Sequence, residues 1–297
     1  MLRGAAKNRC TDHSFPNPHS ASDPVRRARL FLSVVLYLWA RPKHYAYLLT
    51  PSLIRHCHPP SYPLRPYANY ARVDLALYKH ITVSGADAVE FLQGQLTQDV
   101  NQLERTGKLS AALCNPKGRV ICTLTLVQKP DSIGLLIPAT IAEAVLKRLT
   151  MYRMRSAVEF VVDEAASNSA SAEVDPRALI HAGIPTIDTS NSEKFTPHML
   201  NLDKLDAISF TKGCYTGQEV VARTENLGKS KRRMHRYEAD KDGIRVGDKL
   251  MLDDRNIGEV VNVVERDILA VTPVDSHAKS LAHECALLNP VTLPYAF

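Results

Sequence analysis

An α+β fold closed by a small β-barrel is what the sequence predicts, and three observations predict it. Between residues 73 and 162, strand-like segments alternate with two stretches of helical spacing. From Met234 onward the pattern changes to short alternating strands, punctuated by Gly243, Gly247, Asp253-Asp254 and Gly258. Between them lies Lys212-Gly-Cys-Tyr-Thr-Gly-Gln-Glu219, a glycine-containing loop that enters a helix. The 297 residues suffice for two domains with a sizeable core, set at 71–233 and 234–297.

Residues 1–70 stand apart as a basic, Pro-rich extension. They hold half of the prolines, five of the 11 histidines, and a net charge of +8. The whole chain is +6, so the body from residue 71 onward is −2 and shows no demand for a nucleic-acid partner. Leu30–Ala40 is apolar but about half the length of a membrane span, so no membrane is expected. The extension is expected to be mostly disordered, with one short helix near 28–39. Its Arg-rich, acid-poor composition also suits a mitochondrial transit segment, and an interaction segment is the third reading. The expected location is therefore cytoplasmic, or the mitochondrial matrix if 1–70 is a transit segment.

The body begins near Val73. Ala76–Val83 reads as a strand, and Ser84 as the N-cap of a helix with Asp87 in its first turn. Leu109–Cys114 and Arg119–Val127 form a hairpin about the turn Asn115-Pro-Lys-Gly118. Ser132–Pro138 is a strand, Thr140–Met151 a helix with Ile141, Val145, Leu146 and Leu149 on one face, and Ala157–Val162 a strand. Residues 163–178 read as a loop, and Phe195–Leu205 as a short helix. The motif helix runs to about Leu227. His235–Ala239, Lys249–Leu252, Gly258–Val264 and Ile268–Val271 are the closing strands.

Six cysteines, at 10, 57, 114, 122, 214 and 285, include no C-x-x-C pair. Neither a zinc site nor a disulfide framework follows, the histidines show no metal spacing, and no metal ligand is assigned. Cys114 reads as a core residue. Cys214 differs: two glycines, Lys212 and a helix start surround it, the setting of a functional thiol. Thr216 and Glu219 have capping-box spacing. Arg223 lies four residues beyond Glu219, at ion-pair distance on a helix or free to contact a ligand carboxylate. Lys229, Lys231, Arg232, Arg233 and Arg236 read as a solvated helix end or a polyanion contact. Gln93, Gln95, Thr97, Gln98 and Asp99 either brace the following loop or face a ligand.

Lys212–Glu219 resembles the signature of the YgfZ family, folate-binding relatives of the glycine-cleavage T-protein (GcvT) that support iron–sulfur enzymes. Phe91-Leu-Gln-Gly-Gln-Leu-Thr-Gln-Asp-Val100, Asn115-Pro-Lys-Gly-Arg-Val120, Gly183-Ile-Pro185 and Phe195-Thr-Pro197 resemble that family's other fixed points, in its order. The resemblance implies a GcvT-like folate-binding core with a C-terminal barrel, and tetrahydrofolate or a folate derivative as the cofactor. It implies a pocket shaped by Lys212, Gln218, Glu219 and Arg223, with Lys117 and Arg119 lining it. T-protein relatives carry Thr-Gly-Glu where this chain has Thr-Gly-Gln-Glu, so Gln218 and Glu219 both stand as the pterin contact.

The functional expectation is a tetrahydrofolate-binding accessory protein for assembly or repair of iron–sulfur enzymes, its partners being folate and those enzymes or assembly proteins. Two alternatives are a folate-dependent aminomethyltransferase or demethylase of the T-protein type, the only enzyme class the resemblance supports, and a non-catalytic interaction module. A cysteine hydrolase needs a histidine against Cys214, for which His198 and His235 are the nearby candidates in sequence.

Overall fold

A computed structural model of the chain describes residues 77–164, 175–228 and 230–296. The expectations for residues 1–70 lie outside the described residues. All described residues belong to one compact unit, Tyr70–Phe297.

The first half is an antiparallel sheet of β1 (Tyr78–Ser84), β2 (Lys108–Cys114), β3 (Val120–Gln128), β4 (Ile133–Pro138) and β5 (Glu159–Asp163), in the order β2-β3-β4-β1-β5. β3 shows why. Ile121 is buried, Leu124 and Leu126 face one core, and Thr123 and Thr125 take the less buried positions. Two longer helices cover this layer. On α1 (Ala88–Gln95), Phe91 and Leu92 are buried; α2 is the short turn Leu103–Thr106; on α3 (Ala139–Arg153), Ile141, Ala142, Val145 and Leu149 are buried. Each fully buried Leu, Ile or Val there contributes roughly 1.5–3 kcal/mol relative to exposure.

Two expectations are corrected. Ser84 ends β1 and is not an N-cap; the helix opens after Asp87, which makes no side-chain cap. Asp87 Oδ2 instead accepts the Ala157 N–H at 2.7 Å, tying the helix start to the segment that leads from α3 into β5. Phe195–Leu205 is a chain of turns. Asn201 sits at φ +57, which breaks any helix and lets its Nδ2 donate to Met234 O at 2.7 Å.

Residues 175–182 supply a helix the sequence reading lacked, α4 (Pro176–Ala182). Asp175 Oδ1 accepts from Arg177 N at 2.9 Å, proline occupies the first turn, and Gly183 at φ +68 closes it. α5 (Gln218–Leu227) follows the motif loop.

The second half is a closed barrel: β6 (Arg232–Ala239), β7 (Lys249–Leu252), β8 (Arg255–Val264), β9 (Asp267–Pro273), β10 (Leu281–Ala282) and β11 (Leu287–Val291), ordered β10-β11-β6-β9-β8-β7. Ala282 opposite Met251 completes the circuit, so no open edge remains. β10 and β11 extend the four closing strands read from sequence.

One core runs through both halves, joining Ala112, Cys114 and Val120 of the sheet to Val261, Leu269 and Val271 of the barrel. The connecting segment after Gly183 is held from both sides. Thr123 Oγ1 of β3 donates to Pro185 O at 3.1 Å and accepts from Ile187 N at 3.1 Å. Asn262, at a bulge in β8, pairs its amide with the backbone N–H and O of Thr186 at 2.9 and 2.8 Å.

Candidate functional site

Two turns nearly a hundred residues apart meet through their glycines. In the β2–β3 turn, Asn115 Oδ1 accepts from Lys117 N and Arg119 N at 2.9 and 3.0 Å, and Gly118 adopts φ +67. Gly217, at φ +86, is the N-cap of α5. A Cβ on Gly217 would lie 2.5 Å from Asn115 O, and one on Gly118 would lie 2.7 Å from Val220 Cβ. Both positions therefore need positive φ and no side chain, and this seats the start of α5 on the hairpin turn.

That contact corrects the expected capping box. Thr216 is not the N-cap, and Glu219 does not reach back. With Gly217 in the left-handed region the helix starts at Gln218, whose Oε1 accepts from Tyr215 N at 3.2 Å. Glu219, 84% exposed, instead pairs with Arg223 Nη2 at 2.9 Å across one helical turn.

Lys212 is turned inward. Its ammonium donates to Gln93 O, Leu96 O and Gln98 O at 2.7, 2.8 and 2.9 Å, occupying all three donors at the end of α1. Burial pushes its pKa down to about 8, and Asp99 opposes the fall. The nitrogen also lies 5.3 Å from the ring centre of buried Tyr215. The amides after α1 serve the same bracing. Gln93 donates to Asp99 Oδ1 at 2.8 Å, Gln98 to Asp206 O at 2.7 Å, and Thr97 to Ala207 O at 2.6 Å. Gln95 is half-buried. Burial opposes the Asp99 charge, but hydrogen bonds from Gln93, Asn101 and Gln102 hold its carboxyl below the usual value.

Cys214 is exposed on the same loop, and its companion Lys212 is bound to α1. Cys114 and Cys122 are buried, and burial pushes both thiols up to about 12. His198 is buried and pairs with Glu225 of α5 at 3.0 Å; His235 lies in β6 and is pushed down to about 4 by burial, His277 and Arg233.

Beside the hairpin turn opens a cleft of about 670 Å³, lined by Asn115, Pro116, Lys117, Arg119, Arg148, Glu193 and Lys194. The structure thus brings Lys117 and Arg119 together at this cleft, whereas Lys212, Gln218, Glu219 and Arg223, expected to shape the same pocket, are not among the residues that line it. Arg119 Nη1 donates to Lys194 O at 2.6 Å. Arg148 and Lys194 were missed from sequence. Arg148 sat on the polar face of a helix, but Lys194 immediately precedes Phe195-Thr-Pro197 and so carried a positional signal.

The basic run is a further correction. Arg232, Arg233 and Arg236 lie in β6 rather than at a helix end. Arg233 binds Asp203 at 2.5 Å, Arg232 donates to Ile257 O at 2.6 Å, and Arg236 binds Asp267 at 2.8 Å. β6 pairs with β9 and β11, and these side chains brace it from the flanks. Lys231 is exposed, and Lys229 lies outside the described residues. Among the described residues no group of three His, Cys, Asp or Glu side chains is placed to hold a metal ion, and no helix is long and apolar enough to cross a membrane.

No family model matches the sequence. An uncharacterized protein of Haemophilus influenzae is 30% identical over 273 residues, spanning 75% of this chain and 98% of its own length. The tRNA-modifying protein YgfZ of an Enterobacter strain is 30% identical over 240 residues, 57% of this chain and 73% of the relative. The crystal structure of glycine cleavage system aminomethyltransferase T from Bartonella henselae superposes with a TM-score of 0.57, covering 74% of this chain and 84% of its own, at 14% identity. That similarity establishes the fold.

Proposed function

The chain belongs to the YgfZ family, and from that premise we propose that it binds tetrahydrofolate and supports the assembly or repair of iron–sulfur enzymes. The observation that carries this reading is the junction of the Asn115–Arg119 turn with the start of α5, held by Gly118 and Gly217, beside a basic cleft.

The residues present fit a folate. A cleft of about 670 Å³ lies within the usual range for small-molecule sites. Lys117, Arg119 and Arg148 match the carboxylates of a glutamate tail. Glu219, exposed at the junction, offers a carboxylate to an amino-pyrimidine edge, and Arg223 holds that carboxylate in place. Gln218 turns its Oε1 to the loop backbone, which favours Glu219 over Gln218 as the pterin contact. Lys212 acts from beneath by fixing the loop to α1. A bound tetrahydrofolate supplies one-carbon chemistry at its nitrogens; the chain binds and orients it, and Cys214 presents an exposed thiol to a client protein.

Calorimetry with tetrahydrofolate tests the binding. The wild type and Cys214→Ala bind alike, while Glu219→Ala and a Lys117→Ala/Arg119→Ala double variant each lose roughly tenfold, about 1.4 kcal/mol. A wild type that does not bind sinks the folate reading. The client role is tested by iron–sulfur enzyme activity in cells lacking the protein, complemented with wild type or Cys214→Ala; equal rescue removes the thiol from the mechanism.

A further inference from the structure

A second exposed thiol, in the barrel, has a complete proton relay. Cys285 lies in the turn between β10 and β11, whose ends are joined by His283 N donating to Ala286 O at 2.9 Å. His283 Nδ1 stands 3.2 Å from Cys285 Sγ. On its far side, His283 Nε2 stands 3.1 Å from Asp248 Oδ2, with the imidazole 11% exposed. Asp248 is itself fixed, accepting from Arg245 N at 2.8 Å.

The tautomer follows from these contacts. Asp248 accepts, so Nε2 carries the proton. Nδ1 is then a lone pair, and the Cys285 backbone N–H also points at it, at 3.4 Å. The lone pair faces the thiol, and the carboxylate stabilises the imidazolium formed when the thiol proton transfers. This is a nucleophile, a base and an orienting acid in sequence. Cys285 is exposed on a hairpin whose neighbour is Gly243, where a Cβ would come 3.3 Å from Sγ. The thiol and the carboxylate stand at opposite nitrogens of one imidazole, so the arrangement is a relay rather than a shared ligand set.

We infer that Cys285 is a nucleophilic thiol, activated by His283 and Asp248, which undergoes reversible thiol–disulfide exchange with low-molecular-weight disulfides. The Sγ proton passes to His283 Nδ1. The thiolate attacks one sulfur of R–S–S–R; an Sγ–S bond forms, the S–S bond breaks, and the leaving R–S⁻ takes the proton as R–SH. The incoming disulfide is the oxidant, and a second thiol reverses the step. The backbone oxygen of Asp242 lies 3.9 Å from the sulfur, and the Asp242 carboxylate is paired with Arg266 at 3.1 Å.

The test uses full-length protein with Cys10, Cys57 and Cys214 replaced by Ser, leaving Cys285 as its one exposed thiol among the described residues. A neutral pyridyl disulfide is added at pH 7, and release of the pyridyl thiol is timed. Mass mapping assigns the adduct. The expected rate exceeds that of an unstructured peptide spanning 281–289 by about tenfold or more, and His283→Gln removes that advantage. Asp248→Asn lowers the rate by a smaller factor. A rate equal to the peptide's, or one indifferent to His283→Gln in a variant with an unchanged melting curve, overturns the assignment. The peptide comparison decides even if His283→Gln unfolds the barrel.

Discussion

The loop carrying Cys214 and the turn carrying Cys285 both expose a thiol, but they are built in opposite ways. The Cys214 loop is held by distant parts of the chain: α1 grips Lys212, and the β2–β3 turn seats Gly217. Its charged neighbour is consumed in that anchoring. The Cys285 turn is anchored within the barrel, and its polar neighbours point at the sulfur itself. A signature of mixed chemistry in the sequence can thus describe how a loop is mounted, while the group that faces a thiol comes from His283, two residues away, without any signature.

Lys212→Met breaks the first arrangement most severely. Three carbonyl oxygens lose their donor in a half-buried site, and stability falls by about 3 kcal/mol, read as a lower urea midpoint at constant m. Asp267→Asn is the next largest effect and lies in the barrel. Burial opposes the Asp267 charge, but hydrogen bonds from Arg236, His181 and Arg177 hold the carboxyl at about 2. Because the folded pKa is depressed, its contribution is present above the unfolded value and lost as pH falls from about 4 towards 2. The variant loses about 2–3 kcal/mol at pH 7, and its unfolding free energy changes less than the wild type's across that acid window. His283→Gln sharpens the contrast, costing under about 1 kcal/mol in a thermal melt while slowing the thiol. Smallest of all, Glu219→Ala moves stability by no more than about 0.5 kcal/mol, because its pair with Arg223 is exposed. A larger loss would make Glu219 structural and weaken its assignment to ligand.

Where residue pattern alone decides an element, the sequence was readable. β3 and α3 announce themselves through alternation and through Ile141, Val145 and Leu149, and Lys249–Leu252 matches β7 at both ends. Where a distant contact decides, it was not. Thr216 and Glu219 have perfect capping-box spacing, but the N-cap is Gly217 because the Asn115–Gly118 turn lies against it. Asn201 turns left-handed to reach Met234 O, thirty-three residues on. The arginines of β6 look solvated until Asp203 and Asp267 arrive from elsewhere in the fold. α4 was legible in principle, through Asp175-Pro176 and Gly183. Of the site, Lys117 and Arg119 were found through resemblance, and Arg148 joins them only because α3 packs beside the hairpin.

The shared core has a consequence for the order in which the chain is made. Ala112, Cys114 and Val120 leave the ribosome long before Val261, Leu269 and Val271, which complete their cluster. The Thr186 backbone waits likewise for Asn262. Until roughly the last quarter of the protein emerges, the growing chain presents an apolar face with nothing to bury it, the kind of surface that chaperones recognise. Final closure of the barrel waits for Leu281–Val291, so a premature stop even a few residues short of these strands yields a chain with an open edge rather than a slightly smaller protein.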